Sequence, residues 1–134
     1  MTRDQPVALA LIAIAVGAVL GAWLRWGLSS WLNPRLPALP LGTLTANLVG
    51  GYLIGIAAAI LLAYPGLSPL WRLFFVTGFL GALTTFSTFS AESVVLLQGG
   101  QWSMALLHSV LHLAGSIAAT LAGIATVRML ATAG

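Results

Sequence analysis

Four stretches free of Asp, Glu, Lys and Arg dominate the chain: Gln5–Leu24, Leu41–Leu70, Leu73–Ala91 and Gln101–Val127. A helix needs about 20 apolar residues to cross the hydrocarbon of a bilayer, so each stretch can supply a crossing. Inside lipid a helix satisfies every backbone polar group within its own segment. The expectation is therefore an all-α membrane protein with four transmembrane helices in one domain, residues 1–134. Punctuation agrees with this division. The prolines fall at or outside the helix ends, so Asn33–Pro40 and Tyr64–Pro69 read as the first two loops and Gln98–Gln101 as the third. Trp23, Trp26 and Trp31 close the first helix, Trp71 opens the third and Trp102 the fourth. Indole prefers the headgroup level. The amino-terminal run has Asp4 and Pro6 in place of a basic leader and continues into Trp23 and Leu24, so it reads as a retained helix.

Charge sets further bounds. Only 5% of residues are charged, against about 25% in a soluble domain. Five arginines, scattered towards the helix ends, give a net charge of +3 against Asp4 and Glu92. That distribution fits membrane boundaries and argues against a nucleic-acid partner. Cysteine is absent, which excludes disulfides and thiolate metal sites. There is no phosphate-cradling glycine loop followed by lysine, hence no ATP site, and nothing marks the chain as an enzyme. For orientation, Arg3, Arg72 and Arg128 share one side, while Arg25 and Arg35 lie opposite. Three against two is almost no positive-inside bias. This leads to the expectation of insertion both ways and of antiparallel dimers, the alternative being one fixed orientation.

Polar residues inside the spans mark faces. Gly17 with Gly21, and Gly51 with Gly55, have the small-xxx-small spacing that lets helices approach closely. The second helix carries Thr43, Asn47 and Gly50 on one face, and the fourth carries His108, His112, Ser116 and Thr120 at four-residue steps. Asn47 can pin helix packing or serve a pathway. Two histidines one turn apart can bind a metal, but no acid or second ligand pair stands beside them in sequence, which favours a polar stripe. Glu92 is the one acid away from the termini and shares a face with Thr88 and Phe89. Proton relay, ion attraction and placement near a helix end all remain open for it.

The densest anomaly is Thr84-Thr85-Phe86-Ser87-Thr88-Phe89-Ser90, in which five of seven residues bear a hydroxyl. Upstream, Gly78 and Gly81 give the backbone freedom to leave the helix between Gly78 and Thr84. Irregular backbone at membrane depth survives where it is buried in protein or lines a cavity. Freed carbonyls there suit a monovalent cation. Phe86 and Phe89 alternate with the hydroxyls, and an aromatic ring has a positive edge. Ring edges together with hydroxyl donors suit a small, strongly hydrated anion. A hydroxyl-rich packing interface is the alternative. A unit this small has its centre filled by its own side chains, so a pathway belongs between subunits.

The chain resembles the small bacterial fluoride channels (Fluc/CrcB). The resemblance lies in Gly21-Ala22-Trp23-Leu24-Arg25-Trp26, in Gly42-Thr43-Leu44-Thr45-Ala46-Asn47-Leu48-Val49-Gly50, and most specifically in Thr77-Gly78-Phe79-Leu80-Gly81-Ala82-Leu83-Thr84-Thr85-Phe86-Ser87-Thr88-Phe89-Ser90. It covers the whole chain in length and span order. It implies a multi-pass protein of the bacterial inner membrane, an antiparallel dual-topology homodimer with two fluoride pathways at its interface. It also implies a third helix broken near its middle and a central structural sodium ion, held by backbone carbonyls that match Gly81 and Thr84. Asn47 matches the pore asparagine, Phe86 and Phe89 the paired aromatics, and Thr43, Ser87, Thr88, Glu92 and Ser116 the polar track; Arg25 matches the arginine of the first helix. His108 and His112 depart from the tyrosine and serine that family members often carry in that track. The rival function is a small proton-coupled drug exporter, also a four-helix dual-topology dimer, with Glu92 as coupling group.

Overall fold

The computed structural model describes residues 6–133 and is helical throughout. Helix α1 (Val7–Leu32) is followed by a 3-10 turn (Asn33–Arg35) and α2 (Leu41–Ala63). The third span begins with α3 (Pro69–Arg72), a π-helical stretch (Leu73–Leu80) and α4 (Gly81–Leu83); α5 (Phe86–Gln98) completes it. Helix α6 (Trp102–Thr132) is the fourth span. Among the described residues, four helical segments are thus long and apolar enough to cross a membrane. Arg3, Asp4 and the expected helix start at Gln5 lie outside the described residues.

The span ends agree with the expected loops, and two charged residues lie inside the spans with partners. Helix α1 runs to Leu32, and within it Arg25 donates from Nε to the carbonyl of Ala82 at 2.9 Å. The third span runs to Gln98, and within it Glu92 accepts from Thr43 on α2. Its start is set at Pro69, where a missing N–H costs nothing in a first turn and Ser68 accepts from Leu70 N–H at 3.3 Å. The first loop closes on Asn33, whose Oδ1 accepts from Gly42 N–H at 2.7 Å. Gly100 turns the third loop with φ 71°, a conformation glycine adopts freely.

Glycines set the two main interfaces. A Cβ on Gly17 or Gly21 would overlap carbonyl oxygens of Phe74 or Phe79, and one on Gly78 would press on Ile14 O. On the other side, a Cβ on Gly55 would overlap Thr120 O, and one on Gly123 would overlap Tyr52 O. Backbone thus meets backbone between α1 and the π-helical stretch and between α2 and α6, the two most extensive helix contacts. Ala46, Leu80 and Leu83 form the buried core between these layers, with Leu28, Phe75 and Phe79 against it. All five tryptophans point outward.

Gly78 and Gly81 stay helical. The helical winding instead stops at Leu83 and resumes at Phe86, with Thr84 (φ −81°, ψ 153°) and Thr85 (φ −151°, ψ 122°) extended. The stop thus falls on two threonines, whose β-branched side chains suit extended backbone.

Candidate functional site

Two extended residues leave helical hydrogen bonds unmade, and Asn47 collects those of Thr85. The Thr85 N–H donates to Asn47 Oδ1 at 2.8 Å, while Asn47 Nδ2 donates to the Thr85 carbonyl at 3.0 Å. A peptide N–H only donates and a peptide carbonyl only accepts, so the amide orientation is fixed. Its remaining N–H donates to His112 Nδ1 at 3.0 Å. An accepting ring nitrogen carries no proton; the hydrogen-bond network therefore assigns the proton of neutral His112 to Nε2.

The Thr85 side chain starts the next helix. Its Oγ1 accepts from Thr88 N–H at 3.1 Å, capping α5, and its hydroxyl donates to Thr88 Oγ1 at 3.1 Å. Ser87 Oγ lies 3.2 Å from the same oxygen. Thr85→Ala is expected to cost about 1 kcal/mol of unfolding free energy through loss of the cap, with Thr85→Ser close to the native value. Reversible denaturant unfolding in mild detergent measures both.

These bonds also free two carbonyls. In a continuous helix, Gly81 O would accept from Thr85 N–H and Thr84 O from Thr88 N–H. The first donor goes to Asn47 and the second to the Thr85 hydroxyl. Gly81 and Thr84 therefore offer hard oxygen ligands whose helical donors are spent elsewhere, the donor set that a monovalent cation such as sodium takes. Ala82, the next carbonyl in line, is met by Arg25.

A groove of about 820 Å³ runs along this segment. Of the residues singled out from sequence, Asn47, Gly81, Thr84, Phe86, Phe89, His112 and Ser116 line it. Ser109 and Thr120 of α6 line it as well. Phe86 is 79% exposed, and its ring centroid is 5.4 Å from that of Phe89 with the planes tilted by 52°. Phe89 in turn lies over both imidazoles, 5.2 Å from His108 and 4.8 Å from His112.

Behind Phe89 sits a buried polar cluster outside the groove lining. Thr43 Oγ1 donates to Glu92 Oε1 at a short 2.6 Å, and Glu92 Oε2 stands 3.5 Å from His108 Nε2. His108 and His112 meet edge to face at 4.4 Å. The expectation that no acid joins the histidine pair is corrected here: α5 lies against α6 and turns Glu92 onto them, a juxtaposition across helices that spacing along one helix cannot show. Two predicted residues lie apart. Ser87 is exposed beside the groove and Arg25 sits on the α1 side at Ala82. Sequence reasoning left Thr85 out of the site although it organises it, because its part is played mainly by its backbone; its place in the hydroxyl cluster was the available signal.

The family model described as CrcB-like protein, Camphor Resistance (CrcB), matches residues 12–124. A protein of Chromohalobacter salexigens named Fluoride-specific ion channel FluC is 62% identical over 118 residues, 88% of this chain and 89% of its own length. Proteins of the same name from Cupriavidus pinatubonensis and Pseudomonas putida are 54% and 59% identical, covering 92% and 87% of this chain and 98% and 91% of their own. With four spans and these relatives, the chain is a multi-pass protein of the bacterial inner membrane and belongs to the CrcB-like family.

Proposed function

We propose that this chain is a fluoride-selective channel that lets fluoride leave the cytoplasm passively, and that it works as an antiparallel dual-topology homodimer. The observation that carries the reading is the groove itself, where the rings of Phe86 and Phe89 stand beside hydroxyl and imidazole groups within the spanning segments. A second copy laid over it would enclose a path in which these few polar groups find a protein surrounding instead of lipid. The near balance of arginines on the two sides is consistent with insertion both ways.

In this mechanism the anion exchanges water for fixed donors as it passes. The Ser116 hydroxyl and the positive ring edges of Phe86 and Phe89 are available to it, while the hydroxyls of Ser109 and Thr120 donate to carbonyls of their own helix. Asn47 has both N–H groups committed, so its first duty is to hold Thr85 and aim His112. Thr43, Glu92 and His108 form the deeper polar wall, and Ser87 and Thr88 the mouth beside the α5 start. The third span acts as a broken helix, and the carbonyls of Gly81 and Thr84 are the groups that would hold a shared structural sodium ion. When bound, that ion supplies a fixed positive charge that offsets the exposed carbonyl dipoles. Arg25 holds the vestibule side through Ala82 O.

The physiological logic is acid–base chemistry. Hydrogen fluoride crosses membranes as a neutral weak acid and ionises in the more alkaline cytoplasm, where the anion is trapped. A passive anion path lets the membrane potential expel it, with no ATP. A bacterium stripped of its own fluoride export and given this chain is expected to regain growth in fluoride medium; sensitivity unchanged despite membrane expression would overturn the proposal. Phe86→Ile or Phe89→Ile is expected to impair fluoride flux while dimer assembly, measured by cross-linking, stays largely intact. Normal conduction in both variants would refute the ring-edge role. Carboxyl-terminal reporters for the two compartments should both be active, and silence of either opposes dual topology.

A further inference from the structure

The buried cluster of Glu92, His108 and His112 is absorbed only in part by an anion pathway. One potential ligand atom from each of the three residues lies within 4.8 Å of the others. His108 is 0% and His112 5% exposed, yet both His108 nitrogens, His112 Nε2 and Glu92 Oε2 have no hydrogen-bond partner among the described residues. Buried polar atoms normally find partners, and three side chains that each bring an unpartnered atom to one cluster call for a ligand. The donor set, two imidazoles and a carboxylate, is that of zinc-type sites with an open fourth position.

We propose that Glu92, His108 and His112 form a binding site for a divalent transition cation of the zinc type, and that the bound cation blocks the anion path. Ligands at zinc-like bond lengths stand about 3.3 Å apart, so the cluster must contract by about 1.5 Å. Rotation of Glu92, the one partly exposed member, supplies such a movement. Capture through His112 Nε2 requires that ring to release its Nε2 proton. If the proton moves to Nδ1, it meets the Asn47 N–H, and the Asn47–His112 bond is given up. Metal capture and the Asn47 contact are then mutually exclusive, which weakens binding and disturbs the groove wall at once. The block rests on the channel reading; the binding does not. A cation with an open position beside the path would hold an anion there instead of passing it.

The test uses the tag-free, detergent-purified full chain, whose two histidines and absent cysteines leave few competing sites. Equilibrium dialysis with Zn²⁺, and Co²⁺ absorption as a report of tetrahedral geometry, are expected to show one ion per chain that excess Mg²⁺ does not displace. His108→Gln and Glu92→Gln are each expected to weaken Zn²⁺ binding at least about tenfold, with folding checked by circular dichroism. Zn²⁺ is expected to stop fluoride efflux from vesicles of the native chain. No saturable Zn²⁺ binding by the native chain, or binding unchanged in both variants, overturns the site. Saturable binding with undiminished efflux overturns the block. A native chain that binds Zn²⁺ but conducts no fluoride even without it contradicts the channel reading and upholds the site.

Discussion

Asn47→Ala is expected to lower the unfolding free energy by about 2–6 kcal/mol and to bring fluoride efflux down to that of empty vesicles. Both effects follow from one geometry. Asn47 satisfies the N–H and the carbonyl of Thr85, a residue whose extended backbone has left the helix on both sides. Truncation leaves two backbone groups unpaired inside the membrane, each costing about 1–3 kcal/mol. It also removes the donor that sets the tautomer of His112, so the groove wall loses both the held Thr85 backbone and a fixed imidazole. Asn47→Asp separates the parts. One carboxylate oxygen can still accept from Thr85 N–H, but nothing can donate to the Thr85 carbonyl or to His112. Stability between native and Asn47→Ala, with flux still absent, is the expected result; native flux in either variant would refute the role given to Asn47.

Gly55→Ala and Gly123→Ala should each destabilise the chain by about 1–3 kcal/mol or more. The added methyl group would overlap a carbonyl oxygen of the facing helix, Thr120 in one case and Tyr52 in the other. Neither obstacle is a side chain that can rotate away, so α2 and α6 must separate. Because both substitutions strain one interface, their combined cost should be less than additive once the helices have moved apart. Gly27→Ala is the control. Nothing lies within 4 Å of the position its Cβ would take, so stability should be unchanged or raised by up to about 1 kcal/mol. Denaturant unfolding in detergent ranks all of these; Gly55→Ala as tolerated as Gly27→Ala would contradict backbone contact between α2 and α6.

The spans were legible because lipid imposes one long, uncharged pattern, and Pro and Trp mark its ends. The small-xxx-small pairs were legible for a similar reason: Gly17, Gly21, Gly51 and Gly55 all sit at close backbone contacts. What sequence could not show was the effect of partners. Arg25 and Glu92 read as charges near the helix ends, and their partners, a carbonyl on another segment and a hydroxyl on α2, were not visible. Gly78 and Gly81 looked like the place to leave the helix, but freedom to deform does not itself deform a chain. The winding stops at Thr84 and Thr85, where Asn47 rewards the departure with two hydrogen bonds. The histidine pair was visible as a polar stripe, and its meeting with Glu92 was not, since that depends on how α5 is laid against α6.

The central claim is passive, selective fluoride conduction, and efflux from proteoliposomes tests it most directly. Vesicles containing the purified chain are loaded with fluoride or with chloride, and efflux is followed by ion-selective electrode, under a membrane potential alone and then with a pH gradient imposed. Rapid fluoride efflux under potential alone, with little chloride efflux and no need for the proton gradient, is the predicted result. Equal rates for the two anions, or fluoride movement only when a proton gradient is present, would contradict it.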